Sequence, residues 1–241
     1  MSKFTKAVAA LMLTMAVVCA AGCKKAPYYK YNSSGSFNGH DYVDLGLPSG
    51  TLWATRNVGA NSPEDYGDYF AWGETQPKGC YYWSTYQYCN GTFLDEGWFE
   101  NPLLTKYCNN SDYGYNGFTD NLTTLLPEDD AATAHWGNGW RMPTQEEWQE
   151  LLDNTTVTWI TYNNEKGNLF TARNGNRLFL PAAGFCDESG LYFSGVRGFY
   201  SSSSLDTDYP GGMWIFRLDD CYISGSLRYR GHPVRAVRSA Q

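Results

Sequence analysis

The sequence predicts an α+β fold, a twisted mixed β-sheet supported by two short helices and carrying long loops. Three observations lead to this prediction. The chain is rich in Tyr, Trp and Gly (19, 9 and 25 of 241 residues) and has few long helical runs, which is typical of a loop-rich β protein. Short apolar and aromatic segments bounded by Gly, Pro, Asn or Ser recur along it, as strands do. Two further segments carry helix-start signals.

The first strands are predicted near the start of the folded part. Residues 42–45 and 52–58 are expected to form two strands around a turn at 48–50. A third strand is expected at 68–72. Residues 75–127 follow, dense in Tyr, Asn, Gly and Cys and without a helical period. A run of that length inside a compact domain usually has a function, so we expect a long functional or decorated loop there.

Two helices are predicted in the middle of the chain. Asp129 and Asp130 start a short helix that continues to about His135, because acidic residues stabilise a helix N-terminus. In the second helix, Thr144 and Glu147 fit a capping box. The apolar positions that share one face of this second helix are Trp148, Leu151 and Leu152.

Six more strands are predicted after the second helix. They cover residues 157–162, 169–172, 177–180, 199–203, 213–218 and 234–238. Alternation of side chains along 213–218 predicts one inward and one outward face. The inward side chains are Trp214, Phe216 and Leu218, and the outward ones are Met213, Ile215 and Arg217.

The N-terminal residues have the pattern of a lipoprotein signal peptide. Lys3 and Lys6 precede an apolar run at 7–21, which is too short to span a membrane comfortably. The run ends in Ala-Ala-Gly-Cys, which resembles a bacterial lipobox, so Cys23 would carry acyl chains such as palmitate. Ordinary cleavage near Ala21 is the alternative. The predicted organisation is a signal peptide at 1–22, a tether at 23–38 and a folded domain at 39–241.

Charge and composition limit the partners. The chain has 18 Lys and Arg against 25 Asp and Glu, a formal net charge of −7, and no basic cluster. This balance argues against binding nucleic acid or anionic lipid headgroups. The lipid at Cys23 would hold the protein on the outer membrane, anchored rather than inserted. The periplasmic and the cell-surface face of that membrane both stay open.

Five cysteines lie beyond the predicted lipid site: Cys80, Cys89, Cys108, Cys186 and Cys221. An oxidising envelope permits disulfides, but an odd number leaves at least one thiol free or bonded to another molecule. A local bridge between Cys80 and Cys89 and a second between Cys186 and Cys221 are two possibilities. Spacing alone does not decide the connectivity.

Seven short motifs follow one another along the chain in a fixed order. They are YVDLGL (42–47), LWATRNVGA (52–60), YFAWGET (69–75), GWRMPT (139–144), LFLPAAG (178–184), GFYSSS (198–203) and GHPVRAVR (231–238). This series resembles the Fibrobacter succinogenes major paralogous domain family, common in secreted proteins and lipoproteins of gut Bacteroidetes, over residues 40–238. The resemblance implies a C-type-lectin-like fold, distantly similar to formylglycine-generating enzymes. It implies no known reaction.

The sequence contains no catalytic constellation. Its three histidines are far apart, and it has no Gly-x-Ser-x-Gly elbow, phosphate-binding loop or Cys-x-x-Cys pair. The resemblance to formylglycine-generating enzymes implies thiol chemistry near the C-terminal strands, where Cys221 is the candidate. A buried or disulfide-bonded cysteine is the alternative interpretation. We therefore predict a protein that is not an enzyme and uses no cofactor.

Paired acidic residues in the C-terminal loops raise the question of a metal. Asp206 with Asp208, and Asp219 with Asp220, could give oxygen ligands to a hard cation. The Glu-Pro-Asn, Gln-Pro-Asp and Trp-Asn-Asp tripeptides of calcium-dependent lectins do not occur in the sequence. Paired loop acids are more often solvated turns, so no metal site is predicted.

The segment between residues 199 and 230 is predicted to form the binding surface. Its Tyr, Ser, Asp and Arg side chains are types that dominate recognition loops, since Tyr offers rigid amphipathic area at low entropic cost. The predicted ligand-binding residues are Asp206, Asp208, Tyr209, Arg217, Tyr222, Tyr229 and Arg230. The insertion at 75–127 could join them. Polar residues on an exposed edge are the alternative interpretation.

Four arginines are predicted to be structural, pairing with acids such as Asp44 or donating to loop carbonyls. They are Arg141, Arg228, Arg235 and Arg238. Two tryptophans near the second helix, Trp140 and Trp148, are predicted to lie in the core.

These observations predict an outer-membrane lipoprotein whose domain binds an unidentified protein or glycan without catalysis. Two alternatives stay open. One is an enzyme of the formylglycine-generating type that uses Cys221. The other is a structural subunit of a surface assembly, which would self-associate or co-purify with its neighbours.

Overall fold

A computed structural model describes residues 33–94, 100–188 and 190–240, which form an α+β fold in which strands predominate. The strands are β1 (Gly35–Phe37), β2 (His40–Asp44), β3 (Leu52–Ala54), β4 (Tyr69–Phe70), β5 (Cys89–Leu94), β6 (Glu100–Leu104), β7 (Thr155–Tyr162), β8 (Glu165–Ala172), β9 (Arg177–Pro181), β10 (Phe185–Asp187), β11 (Gly190–Tyr192), β12 (Phe199–Leu205), β13 (Gly212–Arg217), β14 (Tyr222–Leu227), β15 (His232–Pro233) and β16 (Val237–Arg238). The helices are α1 (Ala131–Trp136) and α2 (Gln145–Asn154). Single 3₁₀ turns occur at Trp83–Thr85, Ser111–Tyr113, Tyr115–Gly117 and Pro127–Asp129.

The strands form several small antiparallel sheets rather than the one mixed sheet that the sequence suggested. Their strand orders are β1-β2-β3-β16, β15-β4, β5-β6, β7-β8-β9, β10-β11 and β12-β13-β14. Many of the strands have only two or three residues. Such short strands cannot extend a common ladder, because loops interrupt the pairing after one or two hydrogen-bonded steps.

The beginning and the end of the folded part meet in the first sheet. Trp53 on β3 pairs with Val43 on β2 and with Val237 on β16. The last motif of the chain is thereby joined to the first two. Strand β1 pairs with β2 through Ser36 and Asp41. Because β1 lies inside the stretch predicted as a tether, the ordered sheet begins before residue 39.

Both predicted helices are present, and the second has the predicted capping box. The Asp130 side chain caps α1 by accepting from the Thr133 amide. Thr144 and Glu147 form the capping box of α2. Trp148 and Leu151 of α2 are fully buried, and burial of each such side chain contributes about 1.5–3 kcal/mol. Leu152 packs half-buried beside them. Within the described ranges, neither helix is long and apolar enough to cross a membrane.

Strand β13 lies between two hydrophobic clusters, so both of its faces are covered. Phe216 and Leu218 point into the cluster around α2, as predicted for the inward face. Met213 and Ile215 are buried in the other cluster, with 0% and 3% of their surface exposed. The prediction that these two side chains point outward was wrong. Alternation separates the two faces of a strand but does not tell whether a second layer covers the other face.

Residues 75–127, expected to be a long loop, contain the β5–β6 hairpin and several buried tyrosine rings. Tyr88 meets the rings of Tyr86 and Tyr107 edge to face at 6.0 and 5.9 Å. The Tyr86 hydroxyl donates to the Trp72 carbonyl. Tyrosine rings supply a core here while hydrogen bonds satisfy their hydroxyls. The expectation of a segment without regular structure was therefore wrong for this part.

Three of the four arginines make the predicted structural contacts, and the fourth, Arg238, lies over the Phe37 ring, 3.8 Å from its centroid. Arg235 donates to the Ala54 carbonyl and to the Asn57 side chain. Arg141 makes two hydrogen bonds of 2.6 Å to the Glu147 carboxylate. The pairing suggested for Asp44 is different: its carboxylate accepts from the Gly46 amide instead. The buried tryptophans Trp140 and Trp148 are 1% and 0% exposed, which confirms their place in the core.

All five cysteines of the described residues are free thiols, so neither suggested bridge forms. Three of the thiols point at backbone carbonyls of their own loops. The Sγ atoms of Cys89, Cys108 and Cys221 contact the carbonyl oxygens of nearby residues at 3.0, 3.1 and 3.7 Å. Cys80 is exposed, and Cys186 is half-buried in β10. The predicted lipid site at Cys23 lies outside the described residues.

Candidate binding cleft

An open cleft of about 520 Å³ lies where the insertion meets the C-terminal loops. Its lining is mainly aromatic, with one carboxylate and one carboxamide. The lining residues are Trp83, Glu100, Asn101, Tyr113, Tyr209, Leu227 and Tyr229. Two of them, Tyr209 and Tyr229, were predicted as ligand-binding residues. The cleft has the size and mixed chemistry typical of small-ligand sites.

The insertion forms one wall through the β5–β6 hairpin and the 3₁₀ turn at Ser111–Tyr113. The hairpin places Glu100 and Asn101 at the start of β6, with Asn101 buried and Glu100 exposed. The turn is capped by the Asn110 side chain, which accepts from the Asp112 amide. This cap fixes the backbone that carries Tyr113.

The turn between β12 and β13 contributes Tyr209. Asp206 accepts a hydrogen bond from the Asp208 amide at 3.1 Å and so closes the turn. The Tyr209 hydroxyl donates to Asn101 Oδ1 at 3.2 Å, across the cleft wall. The Tyr209 ring meets Tyr113 at right angles, with centroids 5.4 Å apart. Asp206 therefore shapes the turn, whereas Tyr209 faces the insertion.

Tyr229 follows β14 and packs on Trp83. Their rings are 4.9 Å apart and tilted by 67°. Burial raises the pKa of Tyr229, and the nearby Asp187 carboxylate adds to the effect. Tyr229 is therefore a neutral phenol at physiological pH. The Trp83 side chain on which it packs is buried, with 4% of its surface exposed. This pair forms the second aromatic corner of the cleft.

Beneath the cleft, the fully buried Arg228 joins the two walls. Its Nη1 donates to the carbonyl oxygens of Tyr107 and Pro210, at 2.9 and 3.0 Å. Its Nη2 donates to the Lys106 carbonyl at 3.1 Å, and its Nε to the Tyr86 hydroxyl at 3.0 Å. One side chain thus ties the insertion to the turn that carries Tyr209.

A buried carboxylate anchors the same floor of the insertion. Asp129 accepts hydrogen bonds from the hydroxyls of Tyr88 and Tyr107 and pairs with the Lys106 ammonium. Burial opposes ionisation of Asp129, but the hydrogen bonds from Lys106, Tyr107 and Tyr88 prevail and lower its pKa. The positive charge of Lys106 is therefore balanced by the negative charge of Asp129.

Arg217 and Tyr222, two other predicted residues, lie at the opposite end of the sheet from the cleft. They pair with each other across β13 and β14, whereas Gly212 pairs with Leu227 at the cleft end. Five residue steps separate the two ends, which is about 17 Å along a strand. Arg217 is held there by the carboxylate of Asp219 at 3.2 Å.

Arg230 and Asp208 also lie outside the lining of the cleft. Arg230 donates to the Asp187 carboxylate at 2.7 Å and lies over the Phe185 ring. Asp208 is exposed on the turn that Asp206 closes. The seven predicted residues are therefore not one site, and the structure brings only Tyr209 and Tyr229 of them into the cleft lining.

The residues that sequence analysis missed come mostly from the insertion. Glu100, Asn101 and Tyr113 reach the cleft because of the hairpin and the capped turn, and Trp83 because it packs under Tyr229. The only sequence signal was the high aromatic content of 75–127. No local pattern relates these positions to residues more than 100 positions away.

At the C-terminal loops, Asp219, Asp220 and Cys221 each contact a neighbouring group. No group of three or more His, Cys, Asp or Glu side chains that could hold a metal occurs within the residues described. Asp219 and Asp220 both contact Arg217. Burial raises the pKa of Cys221, and the neighbouring Asp220 adds to this. Cys221 is therefore held as a neutral thiol.

The cleft can recognise a ligand by ring faces, by the Asn101 carboxamide and by the Glu100 carboxylate. Aromatic rings bind apolar, planar or cationic groups, and the polar atoms fix their orientation. Searches among protein-family models, curated proteins and solved structures found no match to this chain.

Proposed function

We propose that this protein is a lipid-anchored component of the outer membrane that binds a macromolecular or glycan ligand without catalysis. One observation carries the binding part of the proposal, and the lipid anchor rests on the sequence pattern that ends at Cys23. Rings from two distant parts of the chain, Tyr209 and Tyr229 on one side and Tyr113 on the other, meet in one open cleft. The buried Arg228 fixes both walls. A site that is rigid before the ligand arrives loses less entropy on binding.

We also propose that the domain has the C-type-lectin-like fold of the family that its motifs resemble. The pairing of β3 with β16 and of β4 with β15 supports this, because these pairings join the last motif to the second and the third. The motif at 139–144 leads directly into α2. The fold alone does not specify the ligand.

Two features favour binding over formylglycine-type chemistry. The Cys221 thiol contacts the Leu218 carbonyl oxygen and has a raised pKa, whereas a nucleophilic cysteine needs an electropositive setting that lowers it. Asp219 and Asp220 beside it are negative. The alternative of a structural subunit predicts self-association, which sedimentation of the purified chain would reveal.

The binding proposal can be tested with a double variant, Tyr209→Ser with Tyr229→Ser. The full chain would be immobilised and probed with a defined glycan panel and with envelope proteins. We expect the double variant to lose a ligand that the parent captures, while Tyr222→Ser keeps it. Tyr222 is a matched control because it is an exposed tyrosine at the other end of the same sheet.

The urea midpoint of each variant must be measured alongside. Loss of capture with an unchanged midpoint supports the cleft, whereas equal capture by the double variant and the parent places the site elsewhere. Protease shaving of intact cells addresses the location. Cleavage of the domain outside the cell indicates surface exposure, and protection until the outer membrane is broken indicates the periplasmic face.

A further inference from the structure

We infer that the ligand of the cleft carries an organic cation, a quaternary ammonium head held between the tyrosine rings and the Glu100 carboxylate. This inference rests on the proposed function and names the ligand class for the same site. It follows from three properties of the lining: the arrangement of its rings, its uncompensated negative charge and the way its polar atoms are already used.

The rings form two corners instead of one flat wall. Tyr113 and Tyr209 are inclined at 85°, and Trp83 and Tyr229 at 67°. The face of an aromatic ring is negative and its edge positive. In each pair the edge of one ring contacts the face of its partner, and the two rings turn their remaining faces in different directions. Quaternary ammonium groups are recognised by such aromatic surroundings, because they attract the ring faces and need no hydrogen-bond acceptors.

Glu100 supplies a negative charge at the rim that no ion pair within the described ranges neutralises. Its Oε1 atom accepts a hydrogen bond from the Thr92 hydroxyl at 2.8 Å, which orients the carboxylate without removing its charge. The full chain, with a formal net charge of −7, also attracts cations. A ligand with a carboxylate or sulfate would meet repulsion at this rim.

The positively charged side chains near the cleft already have partners within the fold. Lys106 is paired with Asp129, and Arg230 with Asp187. Arg228 is buried beneath the floor, where its guanidinium donates to carbonyls and lies over the Trp72 ring at 4.8 Å. The carboxylates beside Lys106 and Arg230 offset their positive charge, and the Arg230 guanidinium lies 6.0 Å from the centroid of the Tyr229 ring.

The polar atoms of the wall are less suited to a polyhydroxylated ligand. The Tyr209 hydroxyl is bonded to Asn101 Oδ1, so Tyr209 offers mainly its ring to the cleft. A neutral sugar would need free donors and acceptors in fixed positions. A cation with methyl groups needs ring faces and a counter-charge, and a cleft of about 520 Å³ has room for such a head group.

The test compares two probes of equal shape, choline and its neutral carbon analogue 3,3-dimethylbutan-1-ol. Tryptophan fluorescence of the full chain in a non-ionic detergent would be titrated with each. We expect choline to bind at least about tenfold more tightly than the neutral analogue, since cation–π contacts and the carboxylate act on charge alone. Equal affinity for the two probes, or no binding of choline, would overturn the inference.

Two variants test which side chains of the cleft bind choline. Glu100→Gln should weaken choline binding about tenfold and leave the neutral analogue unchanged, because it removes charge and keeps shape. Tyr209→Leu should remove choline binding, whereas Tyr222→Leu should have no effect. If Glu100→Gln binds choline as the parent does, the carboxylate is not the counter-ion and the inference fails.

Failure of this inference can be told apart from failure of the proposed function. If choline does not bind but the Tyr209 and Tyr229 double variant still loses a captured glycan or protein, the cleft is a binding site for another class of ligand. Binding of a lysine-rich peptide without binding of choline likewise overturns the quaternary ammonium and points to a protein partner. If choline does not bind and the double variant captures the glycan or protein as well as the parent does, both proposals fail.

Discussion

The Nη1 atom of Arg228 donates a hydrogen bond to the carbonyl oxygen of Tyr107 at 2.9 Å, although the two residues are 121 positions apart. The same nitrogen reaches the Pro210 carbonyl. Arg228 is 0% exposed, and its guanidinium lies 4.8 Å from the centroid of the Trp72 ring. A buried guanidinium is tolerated only if its donors are satisfied. Here three carbonyl oxygens and the Tyr86 hydroxyl accept from them, and the two walls of the cleft are fixed as a result.

Replacement of this arginine should destabilise the fold strongly. Arg228→Met leaves the carbonyls of Lys106, Tyr107 and Pro210 without their donor, at about 1–3 kcal/mol for each buried unsatisfied group. We expect the free energy of unfolding in urea to fall by about 3–5 kcal/mol. Arg173→Met, at an exposed position, should change it by less than about 0.5 kcal/mol. Similar values for both variants would contradict the anchoring role.

His232 should make the stability depend on pH. It is buried, its Nδ1 lies 3.1 Å from the Phe199 carbonyl oxygen, and its Nε2 lies 2.9 Å from the Ser226 hydroxyl. Burial lowers the pKa of His232 to about 3, from about 6.5 in an unfolded chain. Between these values the unfolded state binds a proton that the folded state does not. The contribution of the neutral, buried His232 to the free energy of unfolding is therefore complete above pH of about 6.5. It is lost as the pH falls toward 3.

The measurement is the free energy of unfolding between pH 4 and 8, taken for the parent and for His232→Gln. One extra proton in the unfolded state gives a slope of up to about 1.4 kcal/mol per pH unit. The slope below pH of about 6.5 should be smaller in His232→Gln, because the glutamine does not titrate. Identical slopes for His232→Gln and the parent would mean that His232 is not buried in its neutral form.

Local features of this fold could be predicted from sequence, and features set by distant contacts could not. Thr144 and Glu147 form their capping box within four residues, so the pattern was sufficient. The buried state of Ile215 depends on a second cluster, formed partly by the insertion, which alternation does not encode. The same limit applies to the prediction of the residues that line the cleft. Tyr209 was found from its residue type, but Asn101, its partner 108 positions away, was not.

The cysteines should differ sharply in reactivity. Cys80 is exposed, whereas burial raises the pKa of Cys186 to about 11 and also raises the pKa of Cys108 and Cys221. Alkylation by iodoacetamide requires the thiolate, so Cys80 should be modified at least about tenfold faster than the other three at neutral pH. Peptide mass spectrometry of the folded protein measures this. Faster modification of Cys221 than of Cys80 would revive the formylglycine-type alternative.

Gly184, in the motif at 178–184, should not tolerate a side chain. Its φ is +65°, and a Cβ there would lie 2.0 Å from the carbonyl oxygen of Tyr192. Gly175 provides a matched control, because its φ is +84° but nothing lies within 4 Å of a Cβ. Gly175→Ala should therefore show the backbone strain alone, about 1–2 kcal/mol. Gly184→Ala adds a clash with backbone that cannot move away cheaply, so we expect a loss of about 3 kcal/mol or more in urea unfolding. Equal losses of stability in the two variants would contradict this prediction. They would show that the loop at Tyr192 moves aside to accommodate a side chain at Gly184.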